Sequence, residues 1–562
     1  MKRLLYGGTV VNVFTDELER ANVLMDGDRI VGVGAYTAED ADVVEDVSGK
    51  YICPGFIDGH IHIESTMLTP SELAKLCMPR GTTALIADPH EIANVCGVDG
   101  IKYMMEASEG IPLSVYFALP SCVPAAPFDE SGAVLMAQDI KPLYQNERVV
   151  GLAEMMNYPG VVYGDASVHA KIADALSLGK SVDGHAPFLS GKDLDKYVAA
   201  GIGSDHECTN ADEAIEKIRK GQFVMIRQGT AARNLVSLLP LFDAAYNRRC
   251  LLVTDDRHPA DLMREGHIDN IIRLAVQNGK SAQVAIRMAT IQAAEYFGLR
   301  RIGAVAPGYK ADVLVLNDLA SVDVEDVYVN GEKVVSGKQM RAFETPAVSK
   351  TLHEIAHNSF HLKELTEKDF HIEEKAARCR VIELVHGELL TNEKICAIDW
   401  SRQNGIDTER DILKLAVIER HKNTGHIGLG FINGIGMKKG AIASSVSHDS
   451  HNIIVIGTND ADMTLAANHI RQKGGNVVVA DGTIIAEMAL PIAGLMTDRS
   501  GEEIALANET VRGAVYKLGV PHTIEPFMNM AFVSLPVIPS LKMTTQGLVD
   551  VDRQERISLY VD

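Results

Sequence analysis

The chain has 562 residues, more than one hydrophobic core supports, so about two to four domains are expected. Lys and Arg number 54 against 75 Asp and Glu, a net charge of −21 that argues against a nucleic-acid backbone or an anionic membrane as the partner, though not against an uncharged nucleobase. The eight cysteines are scattered with no Cys-x-x-Cys, which argues against a disulfide framework or a zinc ribbon and fits a reducing cytoplasm.

The first residues, MKRLLYGGTVVNVFTDE, have no continuous apolar core because Gly7, Gly8 and Asn12 interrupt it, so they are not read as a signal peptide. No segment is long and apolar enough to span a bilayer, and no internal repeat is evident. Residues 1–50 read as short strands, with Asp26-Gly27 and Ser48-Gly49 as hairpin turns. A similar piece returns at 300–345, with Asn330-Gly331 as its turn, and the two flanks are expected to build one small β-sandwich. The stretch 51–66, YICPGFIDGHIHIEST, reads as one buried strand interrupted by Pro54-Gly55. It ends in His60 and His62, whose side chains face the same side of an extended chain.

Across 51–299 strand-like runs alternate with helix-like ones. The strands are YICPGFIDGHIH, TTALIADPH, LSVYFALPS, VVGLAEMMN, SVDGHAP, GIGSDHE, FVMIRQG and LLVTDD. The helices include DASVHAKIADALSLG, ADEAIEKIRKG and SAQVAIRMATIQAAEYFG. Short, nearly continuous apolar strands in such alternation predict a TIM-like (β/α)8 barrel, α/β in class. After about Gly337 the composition shifts, and 346–562 is expected to form an additional α/β or α+β domain. Its Gly428-x-Gly430 lacks the rest of a dinucleotide fingerprint. His448, Asp449 and His451 crowd together in SHDSHN, either as a wall of an active site or extra metal site, or as a polar loop capped against the next strand. Phe527, Met528 and Met530 read as core.

Within the barrel, almost every strand ends in titratable groups, where a barrel carries its chemistry. These are His60 and His62; Asp88, His90 and Glu91; Glu154; His185; Asp205, His206 and Glu207; Arg227; Asp255 and Asp256. Four histidines and two carboxylates would supply a two-metal site: His60, His62 and Asp255 on one cation, His185 and His206 on the other, Glu154 bridging. Nitrogen and carboxylate donors without thiolate suit zinc, iron or manganese. Asp255 is placed both to hold a cation and to move a proton.

PGFIDGHIH, the later single histidines and the TDD of the last strand resemble the amidohydrolase superfamily. Within it, PGFIDGHIHIESTMLTP, IADPHEIANVCG, GLAEMMNYPGV, DGHAP, GSDHE and LVTDDR closely resemble the adenine deaminases of the bacterial type, over nearly the whole chain. The resemblance implies hydrolysis of adenine to hypoxanthine and ammonia in purine salvage, with manganese or iron before zinc and Glu154 as the bridge. A hydroxide shared by the two metals would attack C6, with Asp255 as the proton shuttle. Candidates to hold the purine are Glu64, Asp88, His90, Glu91, Glu207, Arg227 and Asp256. Glu207 would donate to a ring nitrogen or orient His206; Arg227 would touch the substrate or pair with a carboxylate; His90 and Glu91 would bind or serve a structural network. Other amidohydrolase reactions stay open as alternatives: deacetylation of an N-acetyl amino sugar, cyclic-amide hydrolysis, or a non-catalytic barrel. The zinc motif of cytidine deaminases is absent. A cytoplasmic homo-oligomer, a dimer or larger, is expected.

Overall fold

Strands from two distant stretches of sequence form the first two layers of the computed structural model, which describes residues 1–385 and 389–561. Lys2–Tyr6, Asn22–Asp26, Arg29–Gly34 and Val43–Asp46 make a four-stranded sheet. Thr9–Asn12, Glu17–Arg20 and Tyr51–Pro54 join Val313–Leu316, Val324–Val329, Glu332–Ser336 and Gln339–Met340 in a seven-stranded one. Leu5, Val23 and Ile30 of the first sheet meet Val10, Ile52, Val313 and Tyr328 of the second in one buried cluster. Alternation along each strand turns these side chains toward the other sheet.

Asn330 and Gly331, with φ of 52° and 76°, form a two-residue hairpin turn. The first turn lies one residue further on than read, at Gly27-Asp28, because Asp26 pairs with Arg29. Ser48-Gly49 is not a hairpin turn: it carries the chain from Val43–Asp46 in one sheet to Tyr51–Pro54 in the other. Residues 51–66 are likewise not one strand. The Gly55 amide donates to the Asp312 carbonyl of the flanking sheet and the next amide, of Phe56, to the Gly81 carbonyl of the barrel. Neighbouring residues thus belong to different sheets.

The barrel strands are β1 (Phe56–Ile61), β2 (Thr82–Ala87), β3 (Ser114–Leu119), β4 (Val149–Met155), β5 (Ser181–Gly184), β6 (Ser204–Asp205), β7 (Phe223–Arg227) and β8 (Cys250–Val253). β1 to β5 form one curled parallel sheet, β6 to β8 a second. Gly203 N–H donates to Val182 O at 2.8 Å where β5 meets β6, and Asp255 N–H to His60 O at 3.0 Å where β8 meets β1. Ile57, Ala84, Ala118, Val150, Met225 and Leu251, from six of the strands, pack together in the interior. Helices on the outer face explain why β1, β2, β4 and β8 are buried along their whole length.

Ala166–Ser177 and Ala211–Arg219 are helices capped by the side chains of Asp165 and Asn210. The run read as one helix over 281–298 is two, Ala282–Met288 and Ile291–Tyr296. Thr290 Oγ1 donates back to Ile286 O at 2.6 Å, and the break leaves the Ala289 carbonyl to accept the Ile57 amide at 2.8 Å.

Beyond residue 345 a short helix, Lys350–His357, leads to a sheet that has nine strands among the described residues, of which only Arg378–Leu384 and Ile427–Asn433 pair in parallel. Helix Asp460–Lys473 covers one face through Met463, Ala466, Ala467 and Ile470. Antiparallel strands with a helix on one face make this an α+β arrangement. Helices Gly501–Lys517 and Pro526–Phe532 pack toward the barrel, Gly501–Lys517 against Pro259–Arg264. Among the described residues no helix is long and apolar enough to cross a membrane.

Candidate metal centre

His60 and His62, at the end of β1, bring their Nε2 atoms to 3.2 Å from each other. His62 Nδ1 lies 3.1 Å from the Asp88 carbonyl, which makes Nδ1 the protonated nitrogen and leaves the Nε2 lone pair facing inward. Asp255 follows β8 with φ of 60°, a left-handed conformation that Asp tolerates better than most residues. Its Oδ1 lies 3.1 Å from His62 Nε2. Glu154, at the end of β4, is 3% exposed. Its Oε1 lies 3.2 Å from His62 Nε2, and its Oε2 lies 2.6 Å from His185 Nδ1 and 3.1 Å from His206 Nε2. One carboxylate thus stands between two pairs of histidines.

Donor atoms about 3 Å apart around a common point are what cation–ligand bonds of about 2.1 Å produce. His60, His62 and Asp255 bring donor atoms within 4.8 Å of one another, as do His60, Glu154 and His206, with His60 Nε2 3.9 Å from both Asp255 Oδ1 and Glu154 Oε1. The residues fit divalent cations bound through nitrogen and oxygen. Burial would raise the Asp255 carboxyl, but Arg227 and His62 hold it well below the usual carboxylate range. Burial likewise opposes ionisation of Glu154, and His185 and His206 overcome it.

Arg227, at the end of β7, forks onto Glu207, its Nη2 donating to Oε2 at 3.0 Å, and donates through Nη1 to Asp255 Oδ2 at 2.6 Å. The guanidinium is thereby engaged by carboxylates on both sides. Glu207 Oε1 lies 3.7 Å from His185 Nδ1 and 3.6 Å from His206 Nε2. Behind them, Asp205 accepts the amides of Ala186 (2.9 Å) and Glu207 (2.8 Å), fixing the segments that carry His185 and His206. Lys217, fully buried, faces Asp205 at 3.3 Å and donates to Glu213 at 2.8 Å. Lys217→Met strands a buried carboxylate and is expected to cost about 3–5 kcal/mol, read from the urea unfolding midpoint.

Residues 51–334 match the amidohydrolase family profile and residues 388–555 that of the adenine deaminase C-terminal domain. An adenine deaminase of Desulfatibacillum aliphaticivorans is 45% identical over 99% of this chain and 97% of its own length. One of Clostridium acetobutylicum is 45% identical over 96% of this chain and 95% of its own. This chain belongs to the adenine deaminase family. It belongs with it to the metal-dependent amidohydrolases. A solved dihydropyrimidinase from Brevibacillus agri is 19% identical over 60% of this chain and 96% of its own, with a TM-score of 0.47.

In this member of the adenine deaminase family the C-terminal domain reaches the barrel mouth. His90, just after β2, donates through Nδ1 to Asp88 at 3.0 Å and turns Nε2 toward Asp449, 3.8 Å away. Glu91 lies 3.4 Å from His448 Nδ1 and accepts from Ser65 Oγ at 2.8 Å; the same hydroxyl lies 2.5 Å from Asp256 Oδ1. Glu64 accepts the Ile92 amide through Oε1 and leaves Oε2 without a partner. The loop 447–452 therefore packs against His90 and Glu91 at the barrel mouth. Glu91, His448 and His451 also bring donor atoms within 4.8 Å of one another. The Ser447 amide, however, donates to His451 Nδ1 at 3.3 Å. That contact puts the ring hydrogen on Nε2, which is buried with no hydrogen-bond partner among the described residues. Ser65 carried no signal in the sequence. The contact of His448 and Asp449 with Glu91 and His90, more than 350 positions away, carried none either. Phe527 and Met528, read as core, are buried but line a cavity at this junction.

Proposed function

We propose that the protein hydrolyses adenine to hypoxanthine and ammonia. Glu154 carries the reading: one buried carboxylate presents Oε1 to the His60–His62 side and Oε2 to the His185–His206 side. In this reading His60, His62 and Asp255 hold one divalent cation, His185 and His206 the other, with Glu154 between them and manganese or iron before zinc. Two cations held there supply a water activated near neutral pH. The water oxygen bonds to C6, one of its protons passes to the neighbouring ring nitrogen and the other to the amine, and the C6–N bond breaks with release of ammonia, leaving a carbonyl at C6. Asp255 moves the proton: Arg227 fixes its Oδ2, and its Oδ1 faces the site. Glu207, within 4 Å of both His185 and His206, is the second polar group at the reacting edge. Glu64, Glu91, Asp256, Asp88 and His90 line the approach, where the purine is held.

The same reading divides the chain into a sandwich from 1–50 and 300–345, a closed (β/α)8 barrel over 51–299 and a C-terminal α+β domain over 346–562, within which 386–388 and 562 lie outside the described residues. It makes the protein a cytoplasmic homo-oligomer, a dimer or larger.

Ultraviolet absorbance follows adenine turnover after loading with manganese, iron or zinc in turn. Turnover with at least one metal is expected. No turnover with any, together with acetate release from N-acetylglucosamine 6-phosphate, overturns the reading. Chelation is expected to abolish turnover and to lower Tm, since a cation at 100 times its Kd stabilises the fold by about 2.7 kcal/mol.

A further inference from the structure

We propose that the C-terminal domain supplies one face of the purine site, against which the ring packs while Glu64 of the barrel takes its N–H. This rests on the adenine reading above and names the surface that grips the ring. A cavity of about 20 Å³ lies where the barrel mouth meets the C-terminal domain. Glu64, Met67 and Asp256 line it from the barrel, and His448, Phe527 and Met528 from the other side. One of the lining carboxylates is only half satisfied. Glu64 is 2% exposed and its Oε1 is taken by the Ile92 amide at 3.1 Å, but Oε2 has no partner. A buried acceptor left unpaired is unfavourable, and the N–H of a bound heterocycle would satisfy it.

The opposite edge is apolar and adaptable. An aromatic ring and an unbranched thioether, Phe527 and Met528, suit the flat face of a purine. His448 is held in a fixed plane, stacked on Phe532 with centroids 4.5 Å apart and 19° between the rings. The cavity holds about one water, less than a purine needs, so the ring enters as the Met67 and Met528 side chains swing aside. Phe527 and Met528 facing the unpaired Glu64 oxygen suit a neutral, flat heterocycle bearing a ring N–H, with Asp256, Ser444 and Asn476 as further polar groups of the lining. The acceptor then discriminates against an analogue lacking that hydrogen far more strongly than the wall does against small changes of shape.

The test uses the full-length, metal-loaded protein and the variants Met528→Ala, Phe527→Leu, Met528→Leu and Glu64→Gln, with kcat and KM for adenine measured beside cation content. Met528→Ala and Phe527→Leu are expected to raise KM about 10-fold or more, with a larger effect on KM than on kcat, and Met528→Leu to recover most of it. Glu64→Gln is expected to keep both cations and to lose the preference for adenine over 9-methyladenine and 7-methyladenine. Should Met528→Ala and Phe527→Leu turn over adenine with unchanged KM, the proposal is wrong, whatever Glu64→Gln does. If the wild-type chain does not turn over adenine, the reading above falls separately. The slot is then judged by calorimetric binding of adenine to the same four proteins: weaker binding in Met528→Ala supports it, and equal binding in all rejects it.

Discussion

Glu154→Gln is expected to abolish adenine turnover and to leave fewer than two cations per chain. The carboxylate offers one oxygen to each side of the site, 3.2 Å from His62 Nε2 and 2.6 Å from His185 Nδ1. A carboxamide keeps the shape but replaces one oxygen by an NH2 that has no lone pair for a cation and points two hydrogens at it. Whichever way the amide lies, one side loses a donor. The loss should exceed the roughly 10–100-fold in metal affinity that removing an outer partner brings. It should also be visible without any assay of turnover, as a stoichiometry in elemental analysis after dialysis. Because Glu154 also lies within 4 Å of His62, His185, His206 and His90, the variant should unfold at a lower temperature than the wild-type protein stripped by chelation. Two retained cations together with turnover within tenfold of wild type would remove Glu154 from the centre of the site.

The barrel pattern was legible because its strands are short and apolar on both faces, and because almost every one ends in a titratable group that few loops need. β4, VVGLAEM, is buried at every position and closes on Glu154; β1 closes on His60 and His62. Strand-end chemistry is local, so it survives in one dimension. What failed was less local. Pro54-Gly55 reads as an interruption within one strand, and only the partners of the Gly55 and Phe56 amides show that it marks a change of sheet. The periodicity of 281–298 is helical throughout, and the break at Thr290 follows from the tertiary demand of Ile57 for the Ala289 carbonyl. Arg227 could be read either as a substrate contact or as a carboxylate partner, and only the distances to Glu207 and Asp255 separate the two. The junction of Glu91 with His448 is the extreme case. A cluster such as SHDSHN announces polar chemistry but not the surface it faces, and docking of one domain on another leaves no periodic trace in either.

Asp255→Asn should lower kcat by about 10²–10⁴-fold, the range that removal of a positioned proton-transfer group produces. The substitution isolates that role better than most. Asparagine tolerates φ of 60° about as well as aspartate, so the turn after β8 is not strained, and the side chain keeps one oxygen for the His60–His62 cation by turning its NH2 toward Arg227 Nη1, which loses its Oδ2 acceptor. What it loses is the charge that Arg227 and His62 stabilise, and with it the capacity to take a proton. Arg227 keeps Glu207, so the guanidinium is not left unpaired. Cation content should therefore fall little while turnover falls far, the reverse of the pairing expected for Glu154→Gln. Asp255→Glu, which restores the charge but displaces it by a methylene, should recover only part of the rate, because the Oδ1 distance of 3.1 Å to His62 depends on the short side chain. If Asp255→Asn retains its cations and turns over adenine within fivefold of wild type, proton movement belongs to another group, and Glu207, the nearest remaining carboxylate not placed as a ligand, becomes the residue to replace next.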